Sequence, residues 1–387
     1  MVDSLRGFAL MGLFLIHMVE YFELYWYQPD PGIVHDLTFL LFGGKAYAIF
    51  ALLFGVSFFI QMDNQAKKGI KFEKVFVWRL SLLAIFGYLH GLLYSGDILM
   101  VLALAGFLLL FLYKKDDRIV LIIALLFLFQ TPLVISIFIS PVENQPLHWS
   151  LMKQSFDVYA LGDFAEVIQQ NTFKAQWAKW IFFFETGRIY NVIGLFLMGL
   201  FIARKGFFNN VQNYSRACLY IFLVAVAALS FTKLIQLNIN IFNLKGLQHW
   251  QLSTLLENYQ NLALMIIGVL IFVWCYQKLL FNKVLNLLAP CGRMSLTLYV
   301  GQSLIGVPLF YHFALSLYSS IGQLNSLLLG MLLWIFQVVF ATIWLKLYKF
   351  GPLEWCWRML TYRKFINNRI NNDISTNSVT AVKAKGR

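Results

Sequence analysis

The chain has 387 residues, is 60% hydrophobic and only 13% charged, and carries a formal net charge of +13. Soluble domains hold roughly 25% charged residues, so the composition excludes a soluble enzyme with a single anchor and points to a polytopic membrane protein. No nucleic-acid partner is expected, and the meaning of the positive charge lies in where the Lys and Arg residues sit.

The first helix is predicted from Met1 to about Tyr27. It opens with Val2-Asp3-Ser4-Leu5-Arg6-Gly7, continues as an apolar run to His17, and leaves through Tyr21, Phe22, Tyr25, Trp26 and Tyr27. It is long enough to cross a bilayer. Asp3 and Arg6 can pair at i,i+3. His17 follows Arg6 by close to three turns, about 16 Å along the axis. With Arg6 at one surface, His17 falls near the middle of the hydrocarbon, where an ionisable group is costly and becomes a functional candidate. Two plainer readings stand beside this: Arg6 as a surface anchor, and His17 as a polar contact between helices. No signal peptide is recognisable. A basic residue ahead of Asp3 is expected in a longer chain, so a shortened start is one reading of this N-terminus.

Apolar segments recur at about 7–26, 38–62, 75–94, 97–113, 119–140, 180–203, 216–236, 259–277, 294–318 and 324–348, giving about ten predicted spans. One set of connections is basic. It holds Arg6, then Lys67, Lys68, Lys71, Lys74 and Arg79, then Lys114, Lys115 and Arg118, then Arg204, Lys205 and Arg216, then Lys278, Lys283 and Arg293, and the basic C-terminal residues from Lys346 onward. The other side and the spans behind it hold only Lys45, Lys153, Lys174, Lys179, Arg188, Lys233 and Lys245. The positive-inside rule then predicts both termini in the cytoplasm. The fold class read from this is all-α: an integral membrane bundle with an N-terminal five-helix half (1–140), an outer loop (141–179), a C-terminal five-helix half (180–363) and a disordered cytoplasmic tail (364–387).

The outer loop carries Leu151, Phe156, Tyr159, Phe164, Val167 and Phe173 near helical spacing, flanked by Trp149, Trp177 and Trp180. Amphipathic helices at the outer interface follow, either covering a cavity or resting on headgroups. Cys218, Cys275, Cys291 and Cys356 fall on the cytoplasmic side, so no disulfide is expected. Their spacing fits no metal motif.

Several polar groups interrupt the spans. Arg79 and His90 repeat the spacing of Arg6 and His17. Ser95-Gly96 reads as a tight turn that brings Asp97 near His90, either to orient the imidazole or simply to cap a helix. Lys45 lies in the outer third of span two, where a snorkelling chain is also reasonable. Glu185 and Arg188 can pair at i,i+3. Pro290-Cys291-Gly292-Arg293-Met294-Ser295-Leu296-Thr297 opens span nine with breakers and free N–H groups, a place for an anion beside Arg293 or for a basic anchor.

Asp3-Ser4-Leu5-Arg6-Gly7, Gly44-Lys45 with Leu53-Phe54-Gly55, His90 with Gly96-Asp97-Ile98-Leu99, Gly292-Arg293-Met294-Ser295-Leu296-Thr297 and Gly351-Pro352-Leu353-Glu354-Trp355 resemble the bacterial YeiB-like membrane proteins. In that family the C-terminal half is a domain of unknown function. The first helix is also similar to that of the acyltransferase-three proteins, which share a basic residue, ten intervening residues and a histidine. It is similar as well to heparan-alpha-glucosaminide N-acetyltransferase, which shares the Val-Asp-x-x-Arg-Gly opening but has Asn where this chain has His17. Many YeiB-like proteins have Asn there too.

The resemblance implies a multi-pass acyltransferase of the bacterial cytoplasmic (inner) membrane, with acyl-CoA as co-substrate and a small-molecule or glycan acceptor. Asp3, Arg6, Lys45, Arg79, Arg188 and Arg293 are then candidates for donor or substrate binding. His17 is the candidate base, with His90 and Asp97 as the alternative. No metal is expected. Buried ionisable groups and broken helices equally suit a small-metabolite transporter. A sensor or scaffold fits less well, since no soluble domain is present.

Overall fold

A computed structural model describes residues 1–141 and 145–370. Those residues form helices throughout, and the nearest thing to a strand is an antiparallel bridge between Tyr348 and Arg369. In chain order the helices are α1 (Val2–Val19), α2 (Ile33–Phe42), α3 (Lys45–Ala66), α4 (Glu73–Leu93), α5 (Leu99–Leu112), α6 (Asp117–Leu128), α7 (Thr131–Ile139), α8 (Leu147–Leu161) and α9 (Phe164–Thr172). They continue as α10 (Lys174–Glu185), α11 (Arg188–Arg204), α12 (Ser215–Leu237), α13 (Gly246–Tyr276), α14 (Leu279–Asn286), α15 (Ala289–Arg293), α16 (Ser295–Phe310), α17 (Gln323–Leu347) and α18 (Pro352–Tyr362).

The protein is an all-helical membrane bundle. Among the described residues, seven helices are long and apolar enough to cross a membrane, or eight if α10 and α11, bent by 70° at Thr186–Gly187, form one broken span. The shorter apolar helices α5 and α16 occupy the two remaining predicted segments. Every predicted apolar segment is therefore helical, while two of them are too short to count as crossings on their own.

α1 runs through the centre, with Leu5, Leu10, Phe14 and Met18 fully buried. It packs on α2 and α3 and on α15, α16 and α17, so the N- and C-terminal halves share one core. Glycines permit the closest approaches. A Cβ on Gly292 would lie 1.8 Å from the Asp3 carbonyl oxygen, and one on Gly199 would lie 2.0 Å from that of Leu52. Small residues at such crossings let backbones meet, and in lipid that packing replaces the hydrophobic drive. α12 stands at the periphery with Tyr220, Val224, Phe231 and Leu234 outward, as lipid contact requires.

The first helix is shorter than its sequence suggests, ending at Val19 rather than near Tyr27. Tyr21, Phe22 and Glu23 have φ of 51°, 52° and 83°. Each non-glycine residue in that region costs of order 1–3 kcal/mol. No Gly or Pro announces the break. Packing enforces it: Phe22 sits where a side chain on Gly306 would be, and it meets the rings of Tyr94 and Phe310.

The amphipathic loop helices exist as α8 and α9, and they cover the bundle end where α1 finishes. Tyr159 donates to Asn171 Oδ1 at 2.6 Å, and Asn171 donates to the Leu92 carbonyl at 3.0 Å. The two helices are thereby bonded to each other and to α4. The opposite end carries α14, α15 and α18 beside the N-terminus. There the chain stays paired beyond the expected start of the tail. Asn368 bonds both the amide and the carbonyl of Phe350, and the Ile370 amide donates to the Leu347 carbonyl. The disorder expected from Lys364 is thus corrected as far as Ile370, because backbone partners exist. The rest of that expectation, 371–387, lies outside the described residues.

Candidate functional site

Two imidazole systems meet at the end of the bundle covered by α8 and α9. His90 lies in the last turn of α4 and Asp97 just before α5, joined by the turn Tyr94–Ile98. The Asp97 amide donates to the Tyr94 carbonyl and closes that turn. His90 Nδ1 and Asp97 Oδ1 lie 2.8 Å apart, with side chains 2% and 0% exposed. The second Asp97 oxygen accepts from the Met100 amide at 3.2 Å. The capping and the imidazole-orienting readings of Asp97 are therefore both realised. A carboxylate at this distance makes Nδ1 the donor, so in the neutral imidazole it is Nε2 that carries the lone pair. His90 Nε2 is buried and has no hydrogen-bond partner.

His17 belongs to the second system. Its Nδ1 is 2.9 Å from the Tyr94 hydroxyl, which in turn donates to Glu23 Oε1 at 3.1 Å. Glu20 Oε2 stands 3.9 Å from the same nitrogen, and Glu20 Oε1 accepts from the Trp26 indole at 3.0 Å. Glu20 and Glu23 both lie within electrostatic reach of Arg188, and Glu23 also of Lys179. Lys179 is 5% exposed and its Nζ has no hydrogen-bond partner. Gln176 lies against Gly91, next to His90, with both amide atoms unpartnered. Tyr299 frames His90 with ring centroids 5.3 Å apart, and its hydroxyl accepts from the Ile98 amide.

The other candidates sit elsewhere. Arg6 donates to Asp3 at 2.9 Å, to the Gly292 carbonyl at 3.2 Å and to Ser57 at 2.7 Å. It ties α1 to α15 and α3. Arg79 is buried beneath the Trp357 ring at 4.1 Å, and the Trp357 indole donates to the Arg79 carbonyl, which docks α18 on α4. Arg293 is exposed. Lys45 starts α3 and donates to the Phe39 carbonyl at 2.9 Å, satisfying the end of α2 across the Gly43–Gly44 break. The structure thus gathers His17, His90, Asp97 and Arg188 towards one end and leaves Arg6, Arg79 and Arg293 at the other.

Two pairings differ from those predicted. Glu185 does not pair with Arg188. It turns to α8, accepting from the amides of Leu147 and His148 and lying 2.6 Å from His148 Nδ1. Arg188 instead lies over the rings of Phe182 and Tyr47. The anion expected at the start of span nine is the chain's own carboxylate. Glu354 Oε1 accepts from the amides of Leu296 and Thr297 at 2.7 and 3.1 Å, and Thr297 Oγ1 donates to Oε2. Despite these bonds, burial raises the Glu354 carboxyl above the ordinary carboxylate range.

Residues 202–364 match a family described as "Protein of unknown function (DUF418)". The uncharacterized protein YxaH of Bacillus subtilis (strain 168) is 25% identical over 395 residues, covering 93% of each chain. YeiB of Escherichia coli (strain K12), also uncharacterized, is 26% identical over 395 residues, covering 94% of this chain and 96% of its own. The C-terminal part of the chain thus matches the DUF418 family, and the chain as a whole is similar to YeiB and YxaH. An uncharacterized 39.9 kDa protein from the amylase 3' region of Bacillus acidopullulyticus is 28% identical over 370 residues, covering 94% of each. No solved structure matches. The DUF418 segment supplies Tyr299 to the imidazole end and Glu354 and Trp357 to the opposite one.

Glu20, Glu23, Tyr94, Gln176, Lys179 and Tyr299 were not singled out from the sequence. Glu20 is three residues after His17 and Tyr94 four after His90, spacings that put each pair on one helix face. That signal was available. Nothing in the sequence flags Tyr299, which enters from the other half of the chain.

Proposed function

We propose that this protein is a membrane-embedded acyltransferase, moving an acyl group from a cytoplasmic acyl-CoA to a hydroxyl or amine on a small-molecule or glycan acceptor, with His90 as the base. The observation that carries this reading is the His90–Asp97 pair. Its carboxylate fixes the tautomer and its Nε2 lone pair is left without a partner, which is the base–orienter half of a nucleophile-activating arrangement. In the step proposed, Nε2 takes the acceptor's proton as the acceptor oxygen or nitrogen bonds to the acyl carbon. The carbon–sulfur bond breaks, and the thiolate leaves and recovers a proton. Lys179 and Gln176 are placed to hold acceptor or acyl oxygens beside His90. Arg6 is hydrogen-bonded within the protein and Arg79 is buried under the Trp357 ring with its Nε unpartnered, so Arg293 is the exposed arginine of the three left for donor phosphates. The two ends are separated by at least the 16 Å or so between Arg6 and His17 along α1. The extended arm of a thioester donor has to cover that distance.

The assay is release of free CoA thiol from acetyl-CoA by full-length protein in nanodiscs, with and without candidate acceptors. Loss of release in His90→Ala and Asp97→Asn is the expected result. Equal release in both variants and the unaltered protein would remove the pair from any mechanism.

The α10–α11 break favours a second reading. A helix pair bent by 70°, with Lys179 and Arg188 beside Glu20 and Glu23, has the form of a transport site. Solute flux in proteoliposomes without a covalent product would decide for it.

A further inference from the structure

The Tyr94 hydroxyl faces two groups and owns one proton. Its oxygen lies 2.9 Å from His17 Nδ1 and 3.1 Å from Glu23 Oε1. A phenol donates once and accepts at its lone pairs. One of the two contacts must therefore be donated to it. Two arrangements with the same number of protons satisfy all three groups. In the first, Glu23 is a neutral acid donating to Tyr94, which donates to His17 Nδ1. In the second, an imidazolium Nδ1–H donates to Tyr94, which donates to the Glu23 carboxylate.

We propose that Glu23, Tyr94 and His17 form a proton-transfer chain, with the Tyr94 hydroxyl passing protons between the carboxyl and the imidazole. The step balances within the three residues. The Glu23 O–H bond breaks as a Tyr94 O–H bond forms, and Tyr94's original proton moves to His17 Nδ1. Glu23 ends as a carboxylate, His17 as an imidazolium and Tyr94 unchanged. The reverse step restores the neutral pair.

The backbone supplies an independent observation. Were α1 to continue, Glu23 would sit six residues past His17, roughly 240° around the axis and on another face. The run of left-handed residues Tyr21, Phe22 and Glu23 cancels that rotation and returns Glu23 to the side of His17 and Tyr94. Strain of this kind survives only where surrounding structure enforces it, and it concentrates at functional sites. Phe22, wedged against Gly306 and Tyr94, does the enforcing.

The charged surroundings are mixed. His90 faces the chain from α4, Asp97 from the turn after it, Lys179 from α10, Arg188 from α11 and Glu20 from the end of α1. The hydroxyls of Tyr159, Tyr299 and Tyr311 stand around them. Two cations beside the carboxylates keep the ionised arrangement accessible, and burial keeps the neutral one accessible. Glu20 gives the chain an outlet. Its partner Trp26 lines a surface cleft with Trp149, Lys153 and Asp157. The chain serves either function proposed above, as the path of the proton released on acyl transfer or of one moved with a solute.

The test uses full-length protein in nanodiscs, labelled with 15N-histidine. His17 is titrated by its imidazole nitrogen shifts, assigned by loss in His17→Asn. Glu23 is followed by its carboxylic-acid infrared band, assigned by loss in Glu23→Gln. Groups coupled through one proton titrate as a pair, so both signals should change at a common pH in the unaltered protein. Tyr94→Phe should separate the two midpoints by at least a pH unit. Glu23→Gln should shift the His17 midpoint without loss of folded protein. Separate midpoints in the unaltered protein, or an unmoved His17 midpoint in both variants, would overturn the proposal.

Discussion

His90, in the last turn of α4, and Asp97, in the five-residue turn that follows, meet at 2.8 Å with neither side chain reaching solvent. That proximity is local. Gly96 follows Ser95 in a turn held by the Asp97 amide on the Tyr94 carbonyl, and a Cβ on Gly96 would strike the Tyr94 hydroxyl at 2.4 Å. Tyr94 reaches the second imidazole, so one short turn serves both systems.

Replacing Asp97 by Asn keeps a side chain of the same shape but withdraws the charge that orders the His90 tautomer. Release of CoA thiol is expected to fall about 10²–10⁴-fold. His90→Ala should act on stability as well, since a carboxylate at 0% exposure loses a buried hydrogen-bond donor, at a cost of about 1–3 kcal/mol or more. Unfolding midpoints in detergent separate the two effects: Asp97→Asn should keep a midpoint near that of the unaltered protein, while that of His90→Ala should fall.

Arg6 makes three bonds in three directions, and a lysine cannot reproduce that fork. Arg6→Lys is expected to lower the yield of folded protein nearly as far as Arg6→Ala. Arg293→Ala, at an exposed position, should leave folding intact and raise the KM for a thioester donor. A normal yield of Arg6→Lys with a raised donor KM would return Arg6 to the binding role first read from its place in the sequence.

Most of the bundle was legible because apolar runs and basic loops are direct consequences of lipid solvation. The Asp97–His90 pair was legible because both residues flank one turn. What escaped depends on distant partners. Arg6 reads as a binding residue paired only with Asp3 until Gly292, 286 residues away, supplies a carbonyl and Ser57 a hydroxyl. The end of α1 reads as helix through Tyr27 because the breaking force is Phe22 packed at Gly306, and no local residue marks it. Glu185 reads as a partner of Arg188 until α8 offers it two amides.

Glu354 supports a prediction about pH. Its pKa is raised by burial, so the folded chain binds that proton more tightly than the unfolded chain does. Stability from this group is complete below the ordinary carboxylate value and declines as pH rises through the folded one. Glu354→Gln keeps an oxygen for the amides of Leu296 and Thr297 and cannot ionise. The thermal midpoint of the unaltered protein should fall relative to that of Glu354→Gln as the pH is raised from acid to neutral. A difference that stays constant over that range would show that ionisation of Glu354 has no part in holding α18 on α16.

The close helix crossings make the last prediction. A methyl group on Gly199 would fall 2.0 Å from the Leu52 carbonyl oxygen and 3.1 Å from the Val56 amide nitrogen, and neither atom belongs to a side chain that could swing away. α3 and α11 would have to separate, and the packing between them is what lipid cannot replace. Gly199→Ala is expected to cost at least the 1–3 kcal/mol typical of overpacking, and Gly292→Ala, against the Asp3 carbonyl, at least as much. Gly268 lies in α13 with nothing within 4 Å of the corresponding position. Gly268→Ala should therefore be neutral or stabilising by roughly 0.5–1 kcal/mol through helix propensity. Equal unfolding midpoints for Gly199→Ala and Gly268→Ala in detergent titration would mean that the α3–α11 crossing is looser than the structure places it.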